Sequence, residues 1–384
     1  MINEDRLKEY FLDLVRIDSE SRSERDIALK LKEDLESLGA SVSIDDAGEK
    51  VRSNVGNMVA VFPGNQRSAS PILLSAHMDT VSPGKGVSPV VDGTIVRTGG
   101  NTVLGGDDKS GLAAIMEALK TIKEQSLSTG DIEIVFTICE EKGLLGAKHL
   151  DVSPLRSKYG LVLDATDVGT LFVRAPAANH LQWTVHGLEA HAGVSPQKGI
   201  SAIRIVSEAI AAMTLGRIDE ETTANIGVIN GGVATNIIPN QVVIHGEARS
   251  HDEGKLAAQT EHMSKCLEDA AARHILELDG QRYVGRVEPH VERAYDRMNV
   301  PEDSTIVKLL KEGASKIGTN IILGTTGGGC DANVFNGKGL LIANLGTGMR
   351  DIHTVKESID LKDIATTARL VLEVLLLNSA QGRG

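Results

Sequence analysis

Residues 72–80 read Ile-Leu-Leu-Ser-Ala-His-Met-Asp-Thr, an apolar run that ends in a histidine and an acid. A short, continuous apolar run bounded by polar residues reads as a strand buried on both faces. Runs of the same kind occupy residues 58–62, 132–138 and 161–163, and helical periodicity alternates with them. Leu7, Phe11, Leu14 and Val15 share one helical face. Ile27, Leu31, Leu35 and Leu38 share another, with Gly39 as the stop. Leu112, Ile115, Leu119 and Ile122 stay in register through residues 109–123. Strands alternating with helices imply an α/β domain with a mostly parallel sheet.

Working outward, the texture changes near residue 175. Residues 180–186 read as a strand, 201–213 as a helix, 223–230 and 241–248 as strands, 253–273 as a helix, and 282–288 as a last strand. That order builds a smaller α+β unit. Beyond it the first pattern resumes: a helix over 304–316, strands at 321–323 and 340–345, and a final helix over 361–377. The expectation is one α/β domain of residues 1–174 and 290–384, interrupted by an inserted α+β domain of residues 175–289. A chain of 384 residues is long enough for both.

A formal net charge of −12 speaks against nucleic acid or an anionic membrane as a partner, since both need a basic face. Cys139, Cys266 and Cys330 are odd in number and widely spaced, which suggests neither a disulfide framework nor a thiolate zinc site. A reducing, cytoplasmic setting is the simpler expectation. The first residues, MINEDRLKEYF, lack the layout of a signal peptide, and no run of 18 apolar residues exists.

Chemistry is expected where the strands end, because sites in open α/β sheets form at the carboxyl ends of strands. His77 and Asp79 follow the 72–76 run; in an extended chain residues i and i+2 point the same way, so Asp79 can hold the far ring nitrogen of a metal-binding His77. Gly105-Gly106-Asp107-Asp108-Lys109-Ser110-Gly111 opens the best helix; acids there can merely cap it, but the flanking glycines also fit close approach of backbone to a cation. Glu140 and Glu141 close the 132–138 run as two acids that repel unless a cation or a proton lies between them. Asp164 closes the next run, and His353 lies in Arg350-Asp351-Ile352-His353-Thr354. Each alone reads equally as turn chemistry. Together, two imidazoles and several carboxylates suit two divalent ions, zinc first and manganese or cobalt next, about 3.5–4 Å apart with one carboxylate between them.

These residues in this order resemble the M20 family of metallopeptidases, in its peptidase T-like branch. The resemblance rests on HMDTV, GGDDKSG, CEEKGLLGA, Asp164 and His353, and spans essentially the whole chain. It implies a catalytic domain of zinc-exopeptidase type and an inserted lid and dimerisation domain. It implies that Asp107 bridges two ions, His77 and Asp164 complete one shell, Glu141 and His353 complete the other, and Asp79 orients His77. Glu140 becomes the general base that takes a proton from the attacking water and hands it to the leaving amine. Asp108 would shape the turn rather than bind metal. Gly187-Leu188-Glu189-Ala190-His191-Ala192-Gly193 resembles the family's lid motif, so His191 would meet the scissile carbonyl oxygen, with Asn236 and Arg249 as further substrate contacts. The lid would also carry a homodimer contact and move on closing.

One position departs from the pattern. Peptidase T has an arginine where Thr326-Gly327-Gly328-Gly329-Cys330-Asp331 here places Gly327, so the planar fork for a substrate carboxylate is missing there. The expected function is a dinuclear metallo-aminopeptidase on short peptides, tripeptidase-like. Its rival is an amidohydrolase on N-acyl or N-carbamoyl amino acids by the same mechanism. A catalytically idle scaffold has no use for Glu140 and Asp79. A phosphate-binding ATPase fails because no GxxxxGK[ST] exists.

Overall fold

The apolar runs become neighbours in one nine-stranded sheet. Ile132–Thr137, Ile72–His77, Tyr159–Ala165 and Leu341–Gly346 lie side by side in that order, each parallel to the next. Antiparallel strands flank this core. Met58–Phe62 and Ser41–Ile44 extend one side, and Thr170–Ala175 and Met298–Asn299 the other. The computed structural model describes residues 1–381. Every residue of Ile72–His77 and Ile132–Thr137 is buried, which accounts for their unbroken apolar pattern. Helix Gly106–Glu124 packs on Ile72–His77, and helices Glu4–Arg16 and Leu361–Gln381 pack on that helix. Inside Gly106–Glu124 the backbone is not helical at Asp107 and Asp108, so the regular helix begins at Lys109, as the periodicity predicts. Strand Thr170–Ala175 is not legible in the sequence: it alternates at a flank, where one face is only partly covered.

The chain divides into two compact units. One holds residues 1–175, 298–326 and 330 onward; the other holds 176–297 with 327–329. In the second unit the strands run Gly216–Arg217, Thr222–Gly231, Gln241–Ser250, Ala177–His186, Arg286–Tyr295, all antiparallel. Helices Ala202–Ala212 and Glu253–Arg273 cover one face, opened by Ser201 and Asp252, whose side chains accept from Arg204 N and Lys255 N. Leu181, Trp183 and Val185 point into that layer while the residues between them do not, the alternation of a half-covered sheet.

The last strand differs from expectation. The 282–288 signal resolves into a hairpin, Ile275–Leu278 with Gln281–Val284, followed by Arg286–Tyr295. The unit therefore continues to Arg297 rather than ending at 289. Arg286–Tyr295 is an edge strand exposed at most positions, and its charges break the pattern by which a sequence announces a strand.

Candidate metal centre

Parallel strands end on one side of a sheet, and the ionisable residues gather there. His77 is the last residue of its strand. Glu140 and Glu141 follow Ile132–Thr137 in the one-turn 3-10 helix Glu140–Lys142, entered through Cys139 at φ +51°. Asp164 is next to last in Tyr159–Ala165. Asp107 sits in the turn before the regular helix, joined to Asp108 by a cis peptide bond. His353 lies in the loop between Leu341–Gly346 and Ser358–Asp360.

Asp107 turns one oxygen to each imidazole. Its Oδ1 lies 3.0 Å from Nε2 of His77 and its Oδ2 lies 3.1 Å from Nε2 of His353. Asp164 Oδ1 is 3.9 Å from the same His77 nitrogen, and Glu141 Oε1 is 2.7 Å from Nε2 of His353. Ligand atoms within 4.8 Å of one another form three groups: His77, Asp107 and Asp164; Asp107, Glu141 and His353; and His77, Glu140 and Glu141. The first two share only Asp107. Oε1 of Glu141 is buried and makes no hydrogen bond, although the His353 nitrogen is near. With Asp107, these two residues bring three donor atoms within 4.8 Å of one another, a grouping that could hold a cation. The donor set, imidazole and carboxylate oxygen, fits zinc, manganese or cobalt.

Charge tells the same story. Burial pushes the carboxyl of Asp164 well above its usual range, with Asp107 and Glu140 adding to the rise. Burial also raises Glu140, and Asp331, Glu141 and Asp79 add to it. Asp107 is buried too, but its bonds to His353 and His77 outweigh burial and hold it ionised. The bond from Asp107, and after it the close Glu141 carboxylate, raise His353 to about 10. Divalent cations held between these groups would offset the repulsion among the buried carboxylates.

The segments that carry these candidate ligands hold one another through side chains. Oδ2 of Asp108 accepts from His77 N at 3.1 Å. Asp79 is expected to orient His77, yet His77 Nδ1 lies 2.9 Å from the main-chain oxygen of Asp79 and 3.5 Å from its Oδ1. The carboxylate of Asp79 also accepts from Glu140 N at 2.9 Å, Glu141 N at 3.3 Å and the Ser21 hydroxyl at 2.7 Å. It fixes the turn that carries the two glutamates. The glycines around Asp107 also have a purpose other than cation approach. Gly105 is left-handed at φ +75°, and a Cβ at Gly111 would lie 2.4 Å from Leu163 O and 2.5 Å from Asp108 Oδ1, so the helix could not dock against its strand.

Three site residues escape a reading of the sequence. Asn344 bonds Asp164 twice, accepting from its N at 2.9 Å and donating to its O at 2.6 Å. An amide inside the apolar run 340–345 is the available signal. Asp331, buried, accepts from the Thr137 hydroxyl and leaves Oδ1 without a partner. Glu357 accepts from Gly105 N and Asp107 N. Neither acid stands out, since one looks like a helix cap and the other like a surface loop.

The expected lid residues all lie in the second unit. His191 pairs with Ile237 across a two-residue ladder, and Ala192 N donates to Asn236 O, so His191 and Asn236 are neighbours. The His191 ring is exposed, and its Nδ1 accepts from Gly193 N at 3.1 Å and Val194 N at 3.2 Å. Arg249 stands at the far end of Gln241–Ser250, paired with Glu247 at 2.9 Å, its Nη1 3.4 Å from Gly327 O. A Cβ added at Gly327 would meet nothing within 4 Å, so packing does not require glycine there.

Residues 73–377 match the family model described as Peptidase family M20/M25/M40. The Bacillus subtilis protein YqjE is 43% identical over 376 residues, 98% of this chain and 99% of that protein. The crystal structure of aminopeptidase PepT from Bacillus cereus superposes with a TM-score of 0.90 at 39% identity, covering 99% of each chain. A tripeptidase from Staphylococcus aureus superposes at 0.93 and 38% identity, covering 99% of this chain and all of that one. With the family model spanning most of the chain, and the two imidazoles meeting on Asp107 at the carboxyl end of the sheet, the protein belongs to peptidase family M20/M25/M40.

Proposed function

We propose that this protein is a dinuclear metal-dependent aminopeptidase that cleaves short peptides, tripeptides among them. The observation that carries the proposal is Asp107, which offers one oxygen to the His77 group and the other to the His353 group. His77, Asp107 and Asp164 would hold one divalent ion and Asp107, Glu141 and His353 the other, zinc being the first expectation and manganese or cobalt the alternatives. When bound, the ions supply Lewis acidity toward the scissile carbonyl and an attacking water. Glu140 takes the proton of that water and delivers it to the leaving nitrogen. Asp79 holds the Glu140–Glu141 turn at the required place. The family resemblance assigns His191 to the carbonyl oxygen, and Asn236 and Arg249 to the rest of the substrate.

The test is a panel of di- and tripeptides, tripeptide amides and N-acylated or N-carbamoylated amino acids. Metal-stripped protein is assayed with zinc, manganese or cobalt restored. Metal-dependent cleavage of free tripeptides is the expected result. Tripeptide amides should be cleaved nearly as well, because Gly327 offers no fork for a terminal carboxylate. Cleavage confined to acylated or carbamoylated amino acids would instead favour the amidohydrolase reading, which the same missing fork supports.

Two copies of the chain are proposed to pair through the second unit. The Thr222–Gly231 strand lies near the sheet edge, its end from Gly227 onward is exposed, and Val228 and Ile229 are 46% and 55% exposed. Such an edge readily pairs with another strand. Sedimentation velocity should show a dimer, and Val228→Lys with Ile229→Lys should shift it to monomer. A wild-type monomer at micromolar concentration contradicts the pairing. Among the described residues no helix is long and apolar enough to cross a membrane. The free thiols of Cys139, Cys266 and Cys330 fit the proposed cytoplasmic setting.

A further inference from the structure

Glu357 is a carboxylate 1% exposed, and a buried carboxylate is costly unless its oxygens are satisfied. Its two oxygens are spent on backbone far away in sequence: Oε2 accepts from Gly105 N at 2.8 Å and Oε1 from Asp107 N at 3.0 Å. Gly106 lies so close that an added Cβ would sit 3.1 Å from Oε1. Glu357 therefore reaches from the loop that carries His353 to the turn that carries Asp107. That loop needs an anchor. Asp351 and His353 both adopt left-handed backbone, at φ +51° and +62°, which costs a non-glycine residue energy and persists only where the surroundings hold it. The His353 side chain is itself 48% exposed. The loop is tied at its base by Arg350 and Ser358, which exchange hydrogen bonds of 3.0 and 3.1 Å.

The other ligands have supports of their own. Asp108 holds His77 N, Asn344 holds Asp164, and Asp79 holds Glu140 and Glu141. Beside the direct contact of His353 Nε2 with Asp107 Oδ2 at 3.1 Å, Glu357 ties the His353 loop to the backbone of the Asp107 turn.

We propose that Glu357 is a positioning residue that sets how tightly the Asp107, Glu141 and His353 group holds its cation, while affecting the His77, Asp107 and Asp164 group much less. The inference rests on the dinuclear reading above. Its test does not depend on turnover. Metal-stripped wild type, Glu357→Gln and Glu357→Ala are titrated with Co²⁺, followed by calorimetry and by the visible absorption of the bound ion, with circular dichroism of the cation-free proteins as a check on folding.

Wild type should bind two ions. In Glu357→Ala one of the two should weaken about 10- to 100-fold, the usual effect of losing a group that orients a ligand, and the other by less than about 3-fold. Glu357→Gln keeps one acceptor oxygen and its shape, so it should fall between. Cleavage should return at saturating Co²⁺, shifting the metal requirement rather than KM for peptide. Two ions bound by both variants as tightly as by wild type would overturn the proposal. So would equal weakening of both ions, or loss of folded protein in both variants, since either marks Glu357 as a residue of the fold at large. Fewer than two ions in wild type would instead overturn the dinuclear reading.

Discussion

Glu140→Gln is expected to keep both cations and to lower kcat by about 10²- to 10⁴-fold, the range that a positioned general base contributes. Glu140 is nearly buried, and its backbone N–H is held by Asp79. Glutamine preserves that shape and bond but cannot take up a proton. Two roles are open to the side chain, because its oxygen also lies within ligand range of His77 and Glu141. A cation count separates them. Turnover lost with two ions bound identifies Glu140 as the base, whereas loss of an ion makes it a ligand. Wild-type turnover with two ions would remove it from the chemistry altogether. The fall should appear in kcat and kcat/KM alike, since proton transfer is made only in the transition state.

Asp107→Ala should have the larger effect on metal. Asp107 is the one residue shared by the His77–Asp164 and Glu141–His353 groups. Its removal takes an oxygen from both shells and leaves His77 and His353 facing each other with no carboxylate between them. Affinity for both ions should drop by more than about 100-fold, beyond the upper end seen for residues that only orient ligands. Peptide cleavage should fall to background at micromolar metal. Asp164→Ala removes a ligand from one group only, so calorimetry should find one ion weakened and one retained. If Asp107→Ala also loses a single ion, the two groups do not share a bridge.

These effects turn on particular residues, some of them legible in the sequence. His77, Asp107, Glu140, Glu141 and Asp164 stand out because each lies just past an apolar run or at the start of the strongest helix. Parallel strands deliver the residues at their carboxyl ends to one side of the sheet. Asn344, Asp331 and Glu357 are not legible. Their partners lie 180, 194 and 250 residues away, and no periodicity records a contact at that range. The role of Asp79 is legible only in part. The i, i+2 rule correctly brings it beside His77, but the tightest bonds of its carboxylate to backbone go to Glu140 N and Glu141 N, beyond the strand that pairs alongside.

By itself the sequence determined the class of fold, the α+β insertion and the chemistry of the donors. Burial on both faces and helical amphipathicity leave their periods in the order of residues, and imidazole and carboxylate carry their ligand preferences wherever they stand. Only the tertiary structure decided that the two oxygens of Asp107 face different imidazoles, that Arg286–Tyr295 completes the second sheet, and that buried carboxylates hold the turns of the candidate site by their backbone N–H groups. Those facts depend on where distant segments meet and on which polar groups must find partners once water is gone.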